Sequence, residues 1–139
     1  LGLLGVPAEE VTTAAERVMR ALRNALGGER GRWVLETRPV AGCEVELSGC
    51  LAGRVVHAII DRTFVEGGIR WIVDYKTSEP RAGDDLADFL AAESERYRPQ
   101  LETYAELCRR LEPGREVRSA LYFPLCDGWV ELDPVPAAG

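Results

Sequence analysis

The segment Glu66-Gly67-Gly68-Ile69 constrains the chain more than any other. Apolar runs flank it, one within residues 51–65 and one at residues 71–75. Glycine permits the positive φ angles of a two-residue hairpin turn. With Gly67 and Gly68 in the turn, Glu66 faces Ile69, and counting back one residue per strand sets Asp61 opposite Asp74. Directly opposed Cβ atoms lie about 4.5–5.5 Å apart. Strand side chains alternate faces, so Asp74 and Lys76 point the same way. The opposite face offers Val56, Ala58, Ile60, Phe64, Trp71, Val73 and Tyr75, which reads as a single core face.

Two carboxylates facing each other repel, and the fold loses stability unless something neutralises them. Hard oxygen ligands of this kind suit Mg²⁺, with Mn²⁺ as a second fit. A cation held by Asp61 and Asp74 would polarise a phosphodiester and acidify a bound water. Lys76 could orient that water and balance negative charge in the transition state. The backbone carbonyl of Tyr75 lies between Asp74 and Lys76 and could add a ligand. Taken alone the D-x-K triplet reads as an ordinary solvated surface ion pair, and with Asp61 in register the two readings stand level.

The rest of the chain supplies a scaffold for this hairpin. Val11, Ala14, Ala15, Val18, Leu22 and Leu26 recur at helical spacing and predict a helix over residues 7–26. Pro7 suits its first turn and Gly27-Gly28 ends it. Trp33-Val34-Leu35 and residues 43–47 read as strands joined through Pro39 and Gly42. A polar loop at residues 80–85 leads to a short helix over 85–92 and a stronger one over 99–111. Leu101, Tyr104, Cys108 and Leu111 share one face of the latter. Final strands at 119–125 and 129–132 flank the Asp127-Gly128 turn, and the tail from Pro134 is expected to fray.

Composition excludes several classes. The 139 residues fit one domain, and a 46% hydrophobic share allows a real core. No apolar run is long enough to span a bilayer, and no signal peptide is visible, so a cytoplasmic protein is expected. The chain starts with Leu1, which reads as a fragment of a longer protein. Cys43, Cys50, Cys108 and Cys126 form no Cys-x-x-Cys pair, and His57 is the only histidine, which argues against a structural zinc or iron–sulfur site. The formal net charge of −6 argues against a free-standing nucleic-acid binder.

Three segments in order resemble the PD-(D/E)xK nuclease domain of RecB and AddA, the helicase–nucleases of bacterial double-strand-break repair. They are Ile59-Ile60-Asp61-Arg62, then Trp71-Ile72-Val73-Asp74-Tyr75-Lys76-Thr77, then Gln100-Leu101-Glu102-Thr103-Tyr104. The resemblance covers roughly residues 33–125. It implies a restriction-endonuclease-like α/β fold with an αβββαβ core, a central mixed sheet flanked by helices. It implies a magnesium-dependent deoxyribonuclease of exonuclease type that leaves 5′-phosphate and 3′-hydroxyl ends.

By position, the resemblance makes Asp61 and Asp74 metal ligands and Lys76 the catalytic lysine. Gln100 and Tyr104 sit one helical turn apart on a face that lines the site in this family. Gln100 is then expected to hold the lysine or a phosphate, while Tyr104 and Thr77 support the site or DNA binding. The same two helix residues also read as a surface glutamine and a core aromatic. Implied partners are DNA, a helicase domain of the same polypeptide that would carry the ATP site, and a second subunit of the AddB or RecC kind, with no membrane. A catalytically inactive fold kept for DNA or helicase contact is the alternative.

Two departures from the family pattern stand out. Ala58 occupies a position that is usually glycine, and no histidine lies on the first helix, where the family has one that helps bind metal. That histidine is expected upstream of Leu1. His57 is a poor substitute, because four strand residues put it roughly 13 Å from Asp61 at about 3.3 Å per residue. Glu36 could sit at the site edge but reads better as a plain surface glutamate. AddB-type relatives carry an iron–sulfur cluster on cysteines whose spacing is absent here, so no cluster is expected and the RecB/AddA branch fits better.

Overall fold

A computed structural model of the chain describes residues 8–36, 38 and 40–132. Five strands form one sheet in the order β1-β2-β3-β4-β5: β1 is Ala41–Leu51, β2 Arg54–Glu66, β3 Ile69–Tyr75, β4 Val117–Phe123 and β5 Gly128–Leu132. All neighbours are antiparallel except β3 and β4, which run parallel. A parallel pair needs a crossover, and helix α3 (Leu86–Leu111) supplies it. Helices α1 (Ala8–Gly27) and α2 (Glu29–Leu35) precede the sheet. The result is a mixed sheet with helices on both faces.

Turn chemistry sets the hairpins. Gly67 and Gly68 have φ of 59° and 79°, and Glu66 pairs with Ile69. Ala52 and Gly53, at 50° and 77°, make an equivalent turn between β1 and β2 that lacks a double-glycine signal. These left-handed values are what a two-residue turn between twisted strands requires.

Each sheet face has its own core. Ala58, Ile60, Ile72, Leu101, Tyr104, Leu107, Leu121 and Phe123 pack on the α3 face. Val34, Phe64, Trp71, Val73, Ala120 and Tyr122 pack on the α2 face. The residues read from sequence as one core face therefore divide, with Val56, Ala58 and Ile60 on one side and Phe64, Trp71, Val73 and Tyr75 on the other. The cause lies at Glu44 and Asp61, the one position that drops out of the β1–β2 pairing between Cys43–Arg62 and Val45–Ile60. Glu44 has φ of 51°, outside the β region, so simple alternation breaks there and the two strands exchange faces.

Two other expectations are corrected. Residues 33–35 belong to α2 and are not a strand. Trp33 and Val34 favour strands locally, but Trp33 meets Phe64, Trp71 and Trp129 edge-on at ring distances of 5.0, 5.1 and 5.7 Å, and that packing outweighs propensity. Gly31 permits it, since a Cβ there would collide with the Ala25 carbonyl oxygen. The two helices expected at 85–92 and 99–111 are one, with Pro99 inside it. Asp85 caps its start by accepting from Asp88 N–H. Proline within a helix costs about 3 kcal/mol. Leu101, Tyr104, Ala105, Leu107 and Cys108, all buried, anchor the turns that follow.

Helix α1 follows its predicted span, but Val18, Leu22 and Leu26 are at least half exposed among the described residues. Its half-buried positions are Val11, Ala21, Asn24 and Ala25. Pro7, Pro39 and the tail from Pro134 lie outside the described residues. Among those described, no helix is long and apolar enough to cross a membrane.

Candidate active site

The end of β3 carries the site. Backbone pairing with β2 continues as far as Arg62–Val73 and then stops. The next β3 donor on that side, Tyr75 N–H, is taken by the Asp61 side chain, whose Oδ2 accepts it at 2.9 Å. Asp61 thus replaces a backbone acceptor where the ladder opens. The N–H and C=O of one strand residue point to the same side, so the Tyr75 carbonyl is also directed toward this opening. On its other edge β3 stays anchored, with Lys76 N–H donating to the Tyr122 carbonyl at 2.9 Å.

Asp74 is 4% exposed. Burial pushes its carboxyl up to about 6, and the neighbouring Asp61 carboxylate pushes the same way, while Lys76 opposes both. The Lys76 ammonium lies 2.7 Å from Asp74 Oδ2. That contact is an ion pair without hydrogen-bond alignment, and Oδ2 accepts no directed hydrogen bond despite full burial. The Lys76 ammonium supplies one compensating charge, while Asp61 adds a second negative one.

Lys76 is the chain's only lysine, and every other basic residue is an arginine. Arginine cannot release its proton in a protein, whereas an ammonium is compact and can. The chemistry at this position therefore calls for an ammonium in a chain that otherwise uses guanidinium.

A model of the PD-(D/E)XK nuclease superfamily matches residues 5–131. The chain belongs to this superfamily. The mixed five-stranded sheet is its restriction-endonuclease-like fold, and Asp74-Tyr75-Lys76 has the D-x-K form that the superfamily's name describes. No curated protein was found to match the chain. As a PD-(D/E)XK domain it is a nuclease domain in general terms, and nucleases of this kind generally use divalent metals such as Mg²⁺.

The donor set fits such an ion. Mg²⁺ is commonly bound through one or two carboxylates, with water and substrate phosphate completing its shell. Asp61 and Asp74 supply that number, and a cation there would relieve the carboxylate repulsion that adds to burial in raising Asp74. No cluster of three or more His, Cys, Asp or Glu side chains occurs among the described residues, so no all-protein cage forms around them.

Helix α3 closes the PD-(D/E)XK site from the other side. Lys76 Nζ donates to Gln100 Oε1 at 3.2 Å, and Gln100 Nε2 donates to the Tyr104 hydroxyl at 2.8 Å. Tyr104 is buried in the α3-face core, so it braces Gln100 from behind. Thr77 is exposed, and its carbonyl accepts from Arg17 Nη2 at 3.1 Å. Arg20 pairs with Glu79 at 3.1 Å, and Asn24 Nδ2 reaches the Pro124 carbonyl at 2.6 Å. Arg17 and Arg20 of α1 therefore tie down, from the surface, the loop that leaves Lys76.

Two weighed residues are not gathered. His57 is exposed and shares a 2.7 Å hydrogen bond with Ser48 Oγ. Glu36 caps the end of α2 and pairs with Arg38 at 3.5 Å. Sequence reasoning missed Tyr97, whose ring centroid is 3.8 Å from Lys76 Nζ, and Glu93, whose carboxylate accepts from Ser78 Oγ at 3.3 Å. Their spacing was the available signal. Residues 93, 97, 100 and 104 repeat every three or four positions and so form one helix stripe.

Proposed function

We propose that the chain is a metal-dependent deoxyribonuclease domain of exonuclease type, of the RecB/AddA kind, serving an ATP-driven helicase of the same polypeptide in double-strand-break repair. The observation that carries the catalytic part is the buried Asp74 Oδ2, lacking an aligned donor, beside Asp61 and Lys76. The helicase and repair context rests on the order and spacing of the Asp61, Asp74-Tyr75-Lys76-Thr77 and Gln100–Tyr104 segments.

Asp61, Asp74 and the Tyr75 carbonyl would hold Mg²⁺ or Mn²⁺, which when bound supplies Lewis-acid polarisation of a phosphodiester and a more acidic water. The residues do the positioning. Gln100 and Asp74 fix the Lys76 ammonium, which offsets charge gathering on the non-bridging phosphate oxygens. Hydrolysis joins the water oxygen to phosphorus and breaks the bond from phosphorus to the 3′ oxygen, which departs with a proton. Thr77 places the following loop at the edge where a DNA backbone would pass.

The test is cleavage of linear DNA by the full-length protein with Mg²⁺ or Mn²⁺. Asp74→Ala and Lys76→Ala are each expected to lower kcat at least about 10³-fold, the scale of removing an electrostatic catalytic group. Circular DNA should be spared by an exonuclease. Unchanged cleavage in both variants overturns the assignment. The net charge of −6 and the exposed α1 stripe favour a second reading, an inactive fold kept for contact with DNA or a helicase. DNA binding without metal-dependent cleavage by the full-length protein would decide for it.

A further inference from the structure

We propose that Tyr97 is a positioning residue for Lys76, holding its ammonium against the ring face so that the charge stays aimed at the phosphate. This rests on the nuclease reading of the site. Lys76 Nζ has three near neighbours: Asp74 Oδ2 at 2.7 Å, Gln100 Oε1 at 3.2 Å and the Tyr97 ring centroid at 3.8 Å. The first contact is unaligned and the second is a single neutral acceptor. Neither restrains a flexible four-carbon stem in more than one direction. The ring face attracts a cation through its quadrupole and closes a third side.

Placement makes the contact selective. Tyr97 sits three residues before Gln100 on α3, so one helical turn presents both groups to the same ammonium. Its ring also packs against the α3-face core. Arg96 approaches the same ring at 5.3 Å, yet it is 68% exposed and lies 3.9 Å from Glu93, so Lys76 is the closer and better sheltered cation. Lys76 keeps 17% of its side-chain surface. A cation–π contact gains strength with that degree of desolvation.

The single lysine makes the contact directly observable. With ¹³C-lysine labelling, this chain gives one ε-methylene signal. It should lie upfield of a solvated lysine through the ring current, return to the solvated position in Tyr97→Leu, and stay upfield in Tyr97→Phe. A signal at the solvated position in the wild type, or one unmoved by Tyr97→Leu, overturns the proposal. In Mg²⁺-dependent cleavage, Tyr97→Leu should lower kcat about tenfold at unchanged KM, the scale of one desolvated cation–π contact. Tyr97→Phe should restore it, and in a Lys76→Ala background Tyr97→Leu should cost nothing more. An equal loss in that background marks Tyr97 as merely structural, and a raised KM marks it as a DNA contact. Either overturns the proposal. An upfield signal with no cleavage by the full-length protein defeats the nuclease reading but not the contact, and a solvated signal with intact cleavage by the full-length protein does the reverse.

Discussion

Arg62 and Asp74 are the two buried charged residues among those described, at 7% and 4% exposure, and they lie on opposite faces of the same hairpin. Arg62 is fully engaged. Its Nε donates to the Val34 carbonyl at 2.9 Å, Nη2 to the Glu36 carbonyl at 2.8 Å and Nη1 to Cys43 Sγ at 3.3 Å. It thereby satisfies carbonyls at the end of α2, which helix geometry leaves unpaired. Asp74 has one carboxylate oxygen with no aligned donor, and a like charge beside it. One buried charge is arranged for stability. The other is kept short of partners, which destabilises the metal-free fold and leaves a place for a ligand.

Replacing Arg62 tests the stable half of this contrast and carries the largest expected effect on folding. Arg62→Met keeps much of the volume but strips the end of α2 of its donors. A loss of about 3–5 kcal/mol in urea unfolding is expected, as for breaking a buried charge away from its partners. Arg62→Lys should recover only part of it, because a point-like ammonium cannot span two carbonyls and a sulfur. A near-neutral Arg62→Met would show that the guanidinium is not what secures α2.

The functional half has the opposite sign. Because the folded carboxyl of Asp74 titrates near 6 and an ordinary one near 3.8, the fold favours its protonated form. The associated stability is complete below about pH 4 and is lost as pH rises through 6. The metal-free wild type should thus weaken between pH 4 and 7 more than Asp74→Asn does, by on the order of 1–3 kcal/mol. Melting curves of the two at pH 4, 5, 6 and 7 measure this directly. Added Mg²⁺ or Mn²⁺ should raise the wild-type Tm more at pH 7 than at pH 5 and leave Asp74→Asn little changed. Parallel pH profiles for the two proteins would remove the contrast.

These two residues also mark what was legible in the sequence. The double-glycine turn fixes the count to Asp61 and Asp74, so the hairpin and its polar end follow from local chemistry alone. The spans of α1, β3 and β5 follow from periodicity and breakers. The buried anchoring of Arg62 was not legible, because its acceptors are backbone carbonyls 26 and 28 residues away and leave no residue-type signature. Tyr97 was hidden by Pro99, which reads as a helix start and so cuts its stripe from Gln100. Residues 33–35 misread because aromatic packing across the sheet outweighed a short strand-like run.

The exchange of faces at Glu44 and Asp61 is what puts Ile60 and Phe64 of one strand into different cores. It predicts the smallest effect. Glu44 holds φ of 51° on an exposed strand, a left-handed value that costs a side-chain-bearing residue about 1 kcal/mol. Glu44→Gly removes that strain but adds unfolded-chain freedom, so a net gain of a few tenths of a kcal/mol up to about 1 is expected. Asn, which tolerates this region, should behave similarly, whereas Glu44→Val should lose about 1 kcal/mol or more because a β-branched side chain resists positive φ. Urea midpoints across the Gly, Asn, Glu and Val series should therefore fall in that order. If Val proved as stable as Gly, positive φ at Glu44 would not be what turns the strands over, and the change of face between Ile60 and Phe64 would need another cause.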